Sequence, residues 1–151
     1  MATTVPNEPT IRPLIDADIE PAIALWTECG LVQPWNDPKA DISRARTSGE
    51  AVILVADDPI KGIAATVLAG NDGHRGWLYY LAVSPGLQST GLGRRMVRAA
   101  EDWLKARGVV KVMLMIRPSN LEVRGFYEAL GYEDQDRTLM ARWLDGQPMN
   151  P

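Results

Sequence analysis

The sequence predicts one domain of mixed α/β class, and three observations carry that prediction. Runs rich in aliphatic and β-branched residues recur along the chain, at Ala51–Ala56, Gly62–Ala69, Trp77–Val83 and Val109–Ile116, with the composition of strands. Between and around them stand stretches whose apolar residues step by three and four, the spacing of one helical face. Finally, 151 residues of which 46% are hydrophobic are enough for one proper core and too few for two domains of ordinary size.

Taken in order, residues 1–9 are polar and punctuated by proline, and read as a flexible tail. The single domain is expected over 10–144, with 145–151 as a second tail. Thr10–Leu14 forms a first strand at a sheet edge, where Pro13 is tolerated. Asp16 or Asp18 then caps a helix whose apolar face is Ile19, Ala22, Ile23, Leu25, Trp26 and Cys29, and Gly30 stops it. Asp37-Pro38 is a cap followed by a first-position proline, opening a short second helix to about Ser48. The next two strands make a hairpin around Asp57-Asp58-Pro59-Ile60-Lys61, and 71–76 leads into the strand Trp77–Val83. A long helix follows on Met96, Val97, Ala100, Trp103 and Leu104, closed by Gly108. After the strand Val109–Ile116, Arg117-Pro118 breaks the chain and Ser119-x-x-Glu122 reads as a capping box for the last helix, ending at Gly131. Tyr132–Glu133 and Thr138–Leu144 are expected as final strands.

Composition excludes several function classes. A net charge of −3 gives no general basic face for nucleic acid, so any anion site must be local. The one cysteine, Cys29, makes no internal disulfide and sits on the core face of its helix. No signal-peptide pattern stands at the start, and the cytoplasm is the expected compartment. No apolar run approaches the ~20 residues that span a bilayer, so no membrane partner is expected. No cluster of side chains has metal-ligand spacing, and no metal is expected.

Chemistry concentrates in the turn Gly86-Leu87-Gln88-Ser89-Thr90-Gly91-Leu92-Gly93-Arg94, between the strand Trp77–Val83 and the long helix. A helix N-terminus exposes unpaired N–H groups and partial positive charge, and a turn of little bulk lets a phosphate reach them. Arg94, Arg95 and Arg98 place cations where acidic residues are usual, an arrangement that an anionic ligand would relieve. Two nucleotide motifs fail on spacing. A Walker A loop needs Lys-Ser/Thr where Leu92-Gly93 stands, and a dinucleotide fingerprint needs a third glycine where Met96 stands.

The turn does match Gln-x-x-Gly-x-Gly, after a strand ending in Val-x-Pro. It resembles the acyl-CoA-binding motif of the GNAT superfamily of N-acetyltransferases. A second block, Ser119-Asn120-Leu121-Glu122-Val123-Arg124-Gly125-Phe126-Tyr127-Glu128-Ala129-Leu130-Gly131-Tyr132, resembles that family's Asn…Tyr-Glu-x-Leu-Gly signature. The resemblance runs from about Ile11 to Leu144. It implies the GNAT fold, a mixed central sheet of six to seven strands flanked by about four helices, antiparallel and then parallel, splayed between the strands at Trp77 and Lys111.

The same resemblance implies direct attack of a primary amine on acetyl-CoA, with no acyl-enzyme. The acceptor is a small molecule or a protein N-terminus or lysine. The rival reading is a non-catalytic module that senses acyl-CoA. The pyrophosphate clamp maps onto Gln88, Ser89, Thr90, Gly91, Leu92, Gly93 and Arg94, and the pantetheine arm onto Leu81, Ala82 and Val83. Asn120 matches the cofactor-contacting asparagine. Tyr127 matches the general acid, a phenol protonated at neutral pH. Ribosomal-protein acetyltransferases, which this chain also resembles, carry a glutamate five positions before that asparagine, where Met115 stands here. The base therefore stays open among Asp72, His74, Asp37 and Tyr80, or is unneeded for an amine of low pKa. Trp35, Asn36, Asp37, Asp72, His74, Arg75, Tyr79 and Tyr80 are the candidate acceptor-site residues. Met140, Trp143 and Leu144 leave apolar surface that would suit a homodimer.

Overall fold

A computed structural model describes residues 8–149. The chain forms two compact units, one through Met115 and one from Ile116 onward. The first holds a five-stranded sheet in the order β1 (Thr10–Pro13), β2 (Ala51–Asp58), β3 (Gly62–Asn71), β4 (Gly76–Val83) and β5 (Val112–Met113). The first four strands are antiparallel and β5 runs parallel to β4. Three helices pack on it: α1 (Ile19–Glu28), α2 (Pro38–Thr47) and α3 (Leu92–Lys105). The second unit holds α4 (Leu121–Ala129).

Strands β2 and β3 each bury four successive residues, Ile53–Ala56 and Ala64–Val67, as strands covered on both faces must. Helices α1 and α2 close over one core, in which Trp26, Leu25, Ile42 and Ala45 meet Ile53, Val55 and Ala82. Helix α3 covers β2, β3 and β4 with Leu92, Met96, Val97, Ala100 and Leu104, while Trp103 stays half-buried under the Arg107 guanidinium. Gly76 opens β4 because a Cβ there would stand 2.8 Å from Leu104 Cδ1 and 3.0 Å from Val109 Cγ1.

Four expectations are corrected. The sheet has five strands among the described residues, not six or seven. Val109–Ile116 contributes a ladder of only two residues, Val112 and Met113. The final strands at 132–133 and 138–144 do not form: a strand needs a paired neighbour, and among the described residues neither stretch joins the sheet, while Leu139, Met140 and Leu144 stand exposed. Helix α4 is capped by Asn120, whose side chain accepts from the Val123 N–H, rather than by a Ser119–Glu122 box. Asp18 is likewise drawn away from capping. Its carboxylate takes two bonds from Arg12, at 2.6 and 3.1 Å, and one from the Ile15 N–H, and these hold its pKa below the usual carboxylate range. No described helix is long and apolar enough to cross a membrane. Of the two expected tails, residues 1–7, 150 and 151 lie outside the described residues.

Candidate active site

The centre of the site is a bulge in β4. Thr66 pairs with Ala82 and Leu68 with Tyr79, so Val67 alone faces both Tyr80 and Leu81. The extra residue forces Tyr80 to φ +53, a left-handed conformation costing a side-chain-bearing residue about 1–2 kcal/mol. Three contacts hold it there. The Thr66 hydroxyl, fully buried, donates to the Tyr80 carbonyl at 2.8 Å and accepts from the Trp26 indole N–H at 2.8 Å. The Tyr80 ring stacks on Trp26, with centroids 3.9 Å apart and planes 12° from parallel. The Tyr80 hydroxyl donates to Asp41 Oδ2 at 2.6 Å, and burial together with that bond raises its pKa.

Past the bulge, β4 is open on one edge. Strand β5 pairs with it only at Gly76 and Trp77, so Ala82 and Val83 have a ladder partner on the β3 side alone, and Leu81 lies in the bulge. An amide-bearing ligand laid along that edge would find backbone groups to pair with. The Val83 carbonyl is already engaged, by Gln88 Nε2 at 3.1 Å and the Cys29 thiol at 3.5 Å, and burial raises the pKa of that thiol.

The turn then winds through Ser89 at φ +64 and Gly91 at φ +88. Gly91 is the N-cap of α3, and no side chain caps the helix. The first N–H groups of a 14-residue helix therefore have no side-chain cap, with exposed Arg94 and Arg98 in the same two turns. Thr90 turns its hydroxyl to the Leu87 carbonyl, and Arg95 reaches the Pro9 carbonyl at 3.0 Å.

Beside the bulge lies a cavity of about 570 Å³, lined by Leu31, Asn36, Asp41, Arg44, Ala45, Ser48, Ala51, Leu68, Tyr79 and Tyr80. Three of the eight predicted acceptor-site residues, Asn36, Tyr79 and Tyr80, come together here. The others stand elsewhere. Asp37 caps α2 by accepting from the Lys39 and Ala40 N–H groups, and Trp35 is half-buried in the preceding loop. Asp72 organises its own turn, accepting from the N–H groups of Arg75 and His74 and from the Trp77 indole, and these bonds lower its pKa. His74 is exposed beside Arg75. Sequence reasoning missed Asp41, Arg44 and Ser48. Their signal was present as a polar stripe at steps of three and four along α2, next to the buried Ile42 and Ala45.

In the second unit Asn120 caps α4, and Tyr127 is 6% exposed, its ring edge-on to Phe126 and Tyr132 at 5.0 and 5.3 Å. Burial pushes its hydroxyl up to about 12, so it is protonated at neutral pH.

The acetyltransferase (GNAT) family model matches residues 18–132, most of the chain. The chain belongs to the GNAT acetyltransferase family. It is an acyltransferase with acetyl-CoA as co-substrate. An acetyltransferase of Yersinia enterocolitica is 40% identical over 135 residues, covering 89% of this chain and 94% of the relative. The fold is shared with glucosamine-6-phosphate N-acetyltransferase from Arabidopsis thaliana (TM-score 0.70, 23% identity, 90% of this chain and 98% of that one). It is shared too with aminoglycoside 6'-N-acetyltransferase from Acinetobacter haemolyticus (TM-score 0.73, 16% identity, 89% and 97%). Among the described residues of this GNAT chain, no group of three or more His, Cys, Asp or Glu side chains is placed to hold a metal ion.

Proposed function

We propose that this acetyltransferase acylates a primary amine that enters the cavity beside Tyr80. The observation that carries the reading is the bulge, which sets the open edge of β4 next to that cavity. In this reading the N–H groups of Leu92, Gly93 and Arg94 hold the pyrophosphate, with Ser89, Thr90 and Gly91 shaping the approach, and Gln88 fixes the strand end. The pantetheine amides pair along Leu81–Val83, where one N–H polarises the thioester carbonyl. The amine attacks, forming the N–C bond as the carbonyl pair moves to oxygen. The adduct sheds its proton to Asp41, which Tyr80 holds in place. Collapse breaks the C–S bond, and Tyr127 protonates the departing thiolate. Asn120 serves the cofactor, and 10–144 act as one catalytic domain, a reading supported by a family match that spans both units.

The experiment is a thermal-shift titration with acetyl-CoA, CoA, NAD and ATP in parallel. A ligand at 100 times its dissociation constant stabilises the fold by roughly 2.7 kcal/mol. Shifts with both CoA species and neither nucleotide are expected; no shift with CoA refutes the clamp.

A further inference from the structure

The cavity beside the bulge carries two opposite charges and no others. Its acid is Asp41 and its base is Arg44, one turn apart on α2, with Arg44 Nη1 4.0 Å from Asp41 Oδ1. The remaining lining is apolar or neutral, from Leu31 and Leu68 to Ser48 and Tyr79. The two charges are held differently. Asp41 is partly buried, its side chain 30% exposed, and is fixed by the short bond from Tyr80. Arg44 is 80% exposed, and at 4.0 Å its contact with Asp41 is too long for a good hydrogen bond. Its guanidinium therefore keeps donors in reach of a ligand. A bare amine would pair with Asp41 and leave Arg44 unused. A polycation would meet one carboxylate and be repelled by Arg44.

We infer that the acceptor is a small zwitterion, a primary amine carrying a carboxylate or phosphate a few bonds away. Asp41 receives the amine and Arg44 receives the anion. The short separation of the two side chains requires that the two groups of the substrate also be close. Planar guanidinium suits both oxyanions, so the shared chemistry is the anion and the source is settled by experiment. This inference rests on the acetyltransferase reading of the same cavity.

The test uses matched acceptors with the full chain and acetyl-CoA: O-phosphoethanolamine against ethanolamine, and phenylalanine against phenethylamine. The expected result is a kcat/KM about tenfold or more higher for the anionic member of at least one pair, the worth of one charge-assisted bond. The pair that shows it identifies phosphate or carboxylate. Arg44→Gln brings that ratio to near one, mainly through KM, whereas Arg46→Gln, which breaks the pairing with Asp16 outside the cavity, preserves it. Equal rates within both pairs, no turnover of any of the four amines, or a ratio that survives Arg44→Gln overturns the inference. Thermal shift with CoA separates the two levels: a retained shift with no ratio sinks the zwitterion alone, and a lost shift sinks the acetyltransferase site beneath it.

Discussion

Replacing Thr66 by valine removes one oxygen and tests whether the bulge is held from behind. The hydroxyl is fully buried and serves two partners at 2.8 Å each, the Trp26 indole N–H and the Tyr80 carbonyl. Valine fills nearly the same space but leaves both without a partner. Each buried unsatisfied group costs about 1–3 kcal/mol, so the pair costs about 2–6 kcal/mol before any gain from the added methyl. At about 2–4 °C per kcal/mol for a chain of this length, the midpoint of thermal unfolding falls by roughly 10 °C. The backbone consequence is larger than the thermal one. Without its carbonyl anchor, Tyr80 is freed to relax from φ +53, and the N–H groups of Leu81–Val83 lose their aim. Calorimetric titration of Thr66→Val should show acetyl-CoA binding weakened about tenfold. Trp26→Phe keeps one ring against Tyr80 but loses the indole donor and leaves a cavity in the core, so it should also lower the melting temperature. A Thr66→Val chain that melts within 1 °C of the parent and binds acetyl-CoA equally well refutes the anchoring role.

Three further outcomes are expected. Gly91→Ala meets no steric obstacle but forces φ +88 on a side-chain-bearing residue, which should cost about 1–2 kcal/mol and weaken CoA in titration calorimetry. Asp18 has its pKa lowered chiefly by the Arg12 bonds, so its contribution to stability is present above the unfolded value near ~3.9 and is lost as pH falls through the folded one; denaturant curves between pH 5 and pH 2 should show a shallower acid loss in Asp18→Asn. Tyr127 is shifted the other way. Its contribution is full below about pH 10 and lost as pH rises toward about 12, and Tyr127→Phe should flatten that alkaline loss in the same measurement.

Much of the fold was legible because local chemistry and tertiary structure agree. Asp37-Pro38 caps α2 as its residue types require, the 58–61 turn follows from Asp58 bonding the N–H groups of Ile60 and Lys61, and α3 buries the face its spacing announced. The glycine turn was legible for the same reason, since an uncapped helix start with glycine at φ +88 is a local property. The bulge was not. Trp77-Leu78-Tyr79-Tyr80-Leu81 reads as an ordinary strand, and nothing within it shows that Thr66 and Trp26, distant in sequence, draw Tyr80 into a left-handed turn. Asp41 and Arg44 escaped because charged residues on a short polar helix look like a solvated face, and only the position of Tyr80 makes that face a cavity wall. The final strands were read from composition alone, whereas strand formation depends on a partner that Thr138–Leu144 does not have among the described residues.

Amine-dependent release of CoA from acetyl-CoA, followed by thiol detection in the full chain beside Tyr127→Phe, reads acetyl transfer and the role of Tyr127 together. Release should require both co-substrates and fall at least about a hundredfold in the variant, with acetyl-CoA affinity retained, because a general acid contributes on the order of 10²–10⁴ in rate. Tight acetyl-CoA binding with no amine-dependent release, or full release in Tyr127→Phe, would contradict that expectation.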